Sequence, residues 1–216
     1  MKQLIIYDLD GTLADTRKDI VCAMNHMLRE MRAEPLPAKE IEAYVGRGLH
    51  HLVKSCLKTE DPKRIEKGAK IYRTYYGEHM LDHTTLYPGA REVVEYFKSR
   101  KQAVITNKPD PFSRDLLKAL GVADYFVEIV AGNSEYPQKP HPAAVFSIMK
   151  REGAAPEGTL MVGDSRIDIE TARNAGVETV AIAHGFTPRD ELKSLIPGAV
   201  VENFQEFLEL AKKKQW

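Results

Sequence analysis

Short apolar runs that each end in a polar or glycine-containing turn recur along the chain, separated by stretches of helical periodicity. The runs are LIIYDLDGT from Leu4, QAVITNK from Gln102, YFVEIVAGNS from Tyr125, TLMVGDS from Thr159 and ETVAIAHG from Glu178. Their near-continuous hydrophobicity is that of strands covered on both faces, which is how the strands of a parallel sheet read. Between them Val93, Val94 and Phe97 share one stripe of a helix predicted over 90–99, and Val145, Ile148 and Met149 one over 143–151. Alternation of this kind requires right-handed crossovers and therefore a doubly wound α/β core with a parallel, Rossmann-like sheet.

Residues 16–83 break the rhythm, with several helical patterns and no convincing strand. Ile20, Met24, Met27 and Met31 form one stripe and Ile65, Ala69, Tyr72 and Tyr76 another; stripes at this spacing read as packing surfaces. Leu36 between two prolines marks a break between helices, and Tyr87-Pro88-Gly89 marks the return to the core. No internal repeat is present. The expected organisation is a core of residues 1–14 and 84–216 carrying the site, with an all-helical cap of residues 15–83 inserted after the first strand.

Bulk properties exclude several classes of function. Thirty-one Lys and Arg balance thirty-one Asp and Glu, so no global positive field exists to hold nucleic acid or acidic lipid. Cys22 and Cys56 have no metal-type spacing and read as reduced packing residues. The apolar run Leu4-Ile5-Ile6-Tyr7 is too short for a signal segment, and no stretch approaches the roughly 20 apolar residues of a membrane span. The expectation is a cytoplasmic enzyme, monomer or homodimer, with a small-molecule partner.

Ligands of open α/β sheets bind beyond the carboxyl ends of the strands, so the residues ending each run are the candidates. The first run delivers Asp8 and Asp10 with Gly11 and Thr12; the second Thr106 and Asn107; the fourth Gly163, Asp164 and Ser165, with Asp168 one helical turn later. Lys139 precedes a predicted helix. Carboxylates converging on one crevice repel each other unless a cation is present. Oxygen-only ligation with room for water and phosphate favours Mg²⁺. Asp8 and Asp10, two apart on extended chain, start on the same side, and the Gly11 turn lets backbone N–H groups face an anion. In the mechanism this suggests, Asp8 attacks phosphorus while Asp10 serves as general acid and then general base.

DLDGT at Asp8–Thr12, Thr106-Asn107, Lys139 in QKPHP and GDSRID at Gly163–Asp168 resemble, in order, the four motifs of the haloacid dehalogenase superfamily. The resemblance spans essentially the whole chain. It implies that Asp8, the Asp10 main-chain carbonyl and Asp164 hold Mg²⁺, that Thr106, Asn107 and Lys139 hold the substrate phosphate, and that Asp168 supports the metal shell or Lys139. Members that cleave carbon–halogen bonds typically lack the second acid, so Asp10 favours phosphate chemistry. The helical insertion resembles the cap of the phosphoglycolate phosphatase and β-phosphoglucomutase branch, and Tyr44–Leu49 resembles a cap loop that closes over substrate. Arg47 in that loop is a candidate for gripping a substrate carboxylate.

The function expected is a Mg²⁺-dependent phosphatase of a small phosphomonoester, phosphoglycolate foremost. The alternatives are a phosphomutase, pyrophosphatase or nucleotidase of the same superfamily, and a non-catalytic receiver-like module, which would lack both the cap and the general acid. Lys54, His50, His51 and His141 read as surface or hydrogen-bonded residues. His79 and His83, at helical spacing but without a third ligand, do not read as a metal pair.

Overall fold

A computed structural model describes residues 1–216. The strands are β1 (Leu4–Tyr7), β2 (Ala14–Asp15), β3 (Thr85–Leu86), β4 (Lys101–Ile105), β5 (Glu128–Val130), β6 (Thr159–Gly163), β7 (Glu178–Ile182) and β8 (Ala199–Val201). The helices are α1 (Arg17–Glu30), α2 (Ala38–Glu42), α3 (Leu49–Leu57), α4 (Pro62–His79), α5 (Ala90–Tyr96), α6 (Phe112–Ala119), α7 (Ala143–Glu152), α8 (Arg166–Ala175), α9 (Arg189–Ser194) and α10 (Phe204–Lys214).

Six strands form one sheet in the order β5-β4-β1-β6-β7-β8, with every pair parallel. Side chains alternate across it with the two-residue period of a strand. Ile5, Tyr7, Val104, Leu160 and Val162 face Val93 of α5, Phe97 just beyond it, and Phe204 and Phe207 of α10. Leu4, Ile6, Ala103 and Met161 face Val145 and Ile148 of α7 and Ala172 of α8. All four side chains of β1 are fully buried, as expected of a central strand covered on both faces. Because β1 is flanked by β4 on one side and β6 on the other, the chain reverses direction across the sheet there, and a crevice opens beyond its carboxyl end.

The doubly wound core is as the sequence predicts, with three local differences. A sixth strand, β8, lies at the edge; three residues leaving Pro197-Gly198 are too short to show a period. The strand predicted from Tyr125 is confined to Glu128–Val130, preceded by a 3₁₀ turn at Ala123–Tyr125. The third difference is an antiparallel ribbon, β2 with β3, which ties the point where the chain leaves the core to the point where it returns.

Between those points α1–α4 pack on one another, α1 most extensively on α4. Ile20, Met24 and Met27 of α1 and Ala69, Tyr72 and Tyr76 of α4 are buried, while Met31 and Ile65 are only partly covered. Pro35 and Pro37 fall between α1 and α2, where a break is expected. No helix is long and apolar enough to cross a membrane.

A second tie secures the same junction. Asp19 of α1 is buried and its carboxylate accepts from the His83 N–H at 3.0 Å, the Thr84 N–H at 2.8 Å and the Thr84 hydroxyl at 2.8 Å, with His83 Nδ1 2.8 Å from its other oxygen. Burial alone would raise its pKa, but the Thr84 and His83 hydrogen bonds outweigh it and hold the group below the ordinary carboxylate range. Asp19→Ala should cost about 2–3 kcal/mol in urea denaturation at pH 7, because two main-chain N–H groups lose a charged acceptor. The Asp19 contribution is present above the ordinary carboxylate range and is lost as pH falls through the depressed value, so wild type and variant should converge in strong acid.

Candidate active site

The crevice beyond β1 gathers side chains from four separated stretches. Asp8 follows β1 directly, Thr106 and Asn107 follow β4, Asp164 follows β6, and Lys139 comes from the loop before α7. One carboxylate oxygen from each of Asp8, Asp164 and Asp168 can be chosen so that all three lie within 4.8 Å of one another, and all three residues are buried. Lys139, also buried, sits among them, its Nζ 2.9 Å from Asp8 Oδ1 and 2.6 Å from Asp168 Oδ1.

Local structure fixes each group. The Leu9 N–H donates to Asp8 Oδ1 at 2.7 Å, so this carboxylate is oriented by its own turn. Asp164 is held from both sides, accepting from the Thr12 hydroxyl at 2.7 Å and from the Phe186 N–H at 2.8 Å. Gly11 has φ +82°, and a Cβ there would stand 2.4 Å from Asp164 Oδ2, so the turn requires glycine for both its conformation and the close approach. Asp168 has two tasks. It closes a capping box with Ser165 at the start of α8 through one oxygen and accepts from Lys139 through the other.

The charges are strongly coupled. Burial, partly opposed by Lys139 and reinforced by Asp168, raises Asp8 from its ordinary 3.8 to about 7. Burial, then the charges of Asp168 and Asp8, push Asp164 well above the ordinary range. Burial alone would depress Lys139, yet Asp168 and Asp8 outweigh it and hold the ammonium protonated. Asp8 and Asp164 thus lack enough positive charge to ionise together comfortably, and their donors are all hard oxygens. A divalent cation such as Mg²⁺ fits this donor set. Asp168, engaged by Lys139 through one oxygen and by Ser165 through the other, ties the start of α8 to the cluster.

Two cavities meet at Asp8 and Asp10. The smaller, about 50 Å³, is lined by Thr106, Lys108, Leu52, Tyr72, Tyr76 and Phe112 among others. The larger, about 260 Å³, carries Arg47, Arg166, Glu42 and Glu191 beside Asp164. Arg47 is therefore at the crevice but on the larger cavity only.

The side chain of Asn107 departs from the expectation that it grips phosphate. Its Nδ2 donates to the Gly46 carbonyl at 2.8 Å and the Lys139 carbonyl at 3.0 Å, and its Oδ1 accepts from the Lys139 N–H at 2.9 Å. It clamps the Lys139 loop and ties it to the loop that carries Arg47. Of the histidines singled out in the sequence, His50 pairs with Glu66; His79 closes α4 and pairs with Asp82, whereas His83 lies beyond that helix and pairs with Asp19. The sequence reading assigned no role to Lys108, whose Nζ lies 3.0 Å from Asp10 Oδ1 and 2.7 Å from the Tyr76 hydroxyl. Its sequence signal is its place in the run Thr106-Asn107-Lys108-Pro109.

The family model for haloacid dehalogenase-like hydrolases matches residues 5–182, from β1 through β7. The chain belongs to that family. Among similar curated proteins is the phosphoglycolate phosphatase of Pseudomonas syringae pv. syringae, 35% identical over an alignment covering 93% of this chain and 80% of the relative. That of Neisseria meningitidis is 38% identical, covering 85% of this chain and 81% of the relative. Among solved structures, a predicted phosphoglycolate phosphatase from Haemophilus somnus 129pt superposes with a TM-score of 0.91 at 27% identity, over 97% of this chain and 98% of that one. A haloacid dehalogenase-like hydrolase from Streptococcus pneumoniae gives 0.87 at 26%, with the same coverage of both chains. With the family's core and its four motifs, this chain is an enzyme, a phosphatase of the family.

Lys139→Met should destabilise the protein by about 3–5 kcal/mol at neutral pH in chemical denaturation, because Asp8 and Asp168 lose their buried counter-charge. In metal-free wild type, folded Asp8 keeps its proton up to about pH 7, whereas an unfolded carboxylate loses it near 3.8. Unfolding then releases protons in that window, so stability in EDTA should fall as pH rises from about 4 to about 7. A urea series across that range checks the sign.

Proposed function

We propose that this phosphatase hydrolyses a small carboxylated phosphomonoester, phosphoglycolate foremost, in a Mg²⁺-dependent reaction through an aspartyl-phosphate on Asp8. The observation that carries the reading is the buried Asp8 carboxylate bracketed by Lys139 and facing Asp164, with Asp10 two residues on. The naming of the curated relatives supports phosphoglycolate as the substrate. The roughly 50 Å³ cavity beside Asp10 also favours a leaving group of a few heavy atoms over a hexose or nucleoside.

The residues divide the work as follows. Lys139 and the Thr106 hydroxyl bind the phosphate; Asn107 contributes through its main chain and by holding the Lys139 loop. A carboxylate oxygen of Asp8 attacks phosphorus, the bond from phosphorus to the ester oxygen breaks, and Asp10 protonates that oxygen. Asp10 then takes a proton from water, whose oxygen attacks phosphorus and frees Asp8 as carboxylate. Mg²⁺, when held by Asp8, the Asp10 main-chain carbonyl and Asp164, neutralises the charge that accumulates on the phosphoryl oxygens. Asp168 keeps Lys139 aimed at Asp8. Residues 15–83 act as a cap that closes on the crevice and excludes bulk water, with Arg47 at its rim.

Phosphate release from phosphoglycolate should require Mg²⁺ and cease with EDTA. Asp8→Asn should abolish it, and Asp10→Asn should lower kcat by about 10²–10⁴-fold, the range for loss of a general acid–base. Turnover indifferent to EDTA, or surviving in Asp8→Asn, would be incompatible with the proposal.

A further inference from the structure

Lys108 is the one cationic side chain lining the smaller cavity. It is only 8% exposed, and its Nζ is within hydrogen-bond distance of Asp10 Oδ1 at 3.0 Å, Asp10 Oδ2 at 3.3 Å and the Tyr76 hydroxyl at 2.7 Å. The ammonium also stands 4.4 Å from the centroid of the Tyr76 ring, which packs edge-on against Phe112. Leu49, Leu52, Tyr72 and Phe112 make much of the remaining wall apolar.

From this arrangement we infer that Lys108, presented with Tyr76, is the residue that recognises the carboxylate of the leaving group and so selects a carboxylated substrate. The inference rests on the phosphatase reading above and assigns to one residue the specificity that reading leaves open. An anion in a cavity that already holds Asp8 and Asp10 against an apolar wall is strongly disfavoured unless a cation faces it. Lys108 supplies that charge. An ammonium has three N–H donors, so it can serve Asp10, the Tyr76 hydroxyl and one oxygen of a substrate carboxylate together, while the Tyr76 hydroxyl donates its own proton to the second carboxylate oxygen. The cavity's roughly 50 Å³ suits the two-carbon glycolate and little more.

The two halves of this receptor come from different parts of the fold. Lys108 belongs to the loop after β4, and Tyr76 to α4 of the helical insertion. Carboxylate recognition is complete only when α4 sits against the core, so the leaving group itself favours the closed arrangement. Arg47 lines the other cavity and stands outside this receptor.

The test compares phosphoglycolate with hydroxyethyl phosphate, in which a neutral CH₂OH replaces the carboxylate. In wild type the ratio of kcat/KM values should favour phosphoglycolate by about 100-fold or more, the scale of a desolvated charge pair. The ratio should collapse towards unity in Lys108→Met, chiefly through KM for phosphoglycolate, and be largely retained in Lys108→Arg. Calorimetric binding of both esters to Asp8→Asn, which retains Lys108, gives a readout independent of turnover and of how Lys108 variants fold; phosphoglycolate should bind at least about 30-fold tighter. Equal binding there overturns the inference. So does a ratio unchanged in Lys108→Met while both rates fall, or one that collapses in Arg47→Met instead. Release of phosphate from neither ester by wild type overturns the substrate reading and this assignment with it, whereas turnover of both without discrimination removes only the role of Lys108.

Discussion

A single buried ammonium holds the site together. Lys139 lies between Asp8 and Asp168, and Asp164 shares the same crevice, so three carboxylates stand where water cannot screen them. At the low effective dielectric of a buried site such repulsion is far larger than on a surface. Lys139 offsets part of it; Asp8 and Asp164 are nonetheless raised, first by burial and then by the neighbouring carboxylates. Hard oxygen donors left short of positive charge form a set that a divalent cation would fit. Asn107, Ser165 and Thr12 give up their side chains to the same end, each fixing one member of the cluster.

The sheet makes this convergence possible. Asp8, Thr106 and Asp164 are far apart in sequence but directly follow β1, β4 and β6, which are neighbours. Parallel pairing brings their ends to one edge, and the reversal of strand order at β1 opens the crevice there. The residues that complete the cluster come from the loop before α7 and the first turn of α8, both at that same edge. A capping residue of α8 therefore doubles as the partner of Lys139, so one carboxylate serves the helix and the site.

The helical insertion is coupled to this core at two kinds of place. At its base, the β2–β3 ribbon and the Asp19 carboxylate hold the outgoing and returning chain together. Over the crevice, contact is through polar and aromatic groups: Asn107 to the Gly46 carbonyl, and Lys108 to Tyr76. The base is fixed by four bonds to one buried carboxylate, whereas the upper contacts surround the two cavities beside Asp8 and Asp10.

Periodicity, turn residues and the ordered acidic motifs were enough to establish the α/β core, the helical insertion and the identity of Asp8, Asp10, Lys139, Asp164 and Asp168 as candidates. These features are local: a strand's two-residue period, a helix's stripe and a carboxylate at a strand end each appear within a few residues. The short β8 escaped because three residues carry no period. Lys108 and the true engagement of Asn107 escaped because their partners, Asp10, Tyr76, Gly46 and the Lys139 main chain, lie tens of residues away. What each oxygen of Asp168 meets, which cavity Arg47 lines and which lysine meets Asp10 were decided only by tertiary structure, since hydrogen-bond geometry over a few ångströms depends on how distant segments pack and leaves no trace in the spacing of the chain.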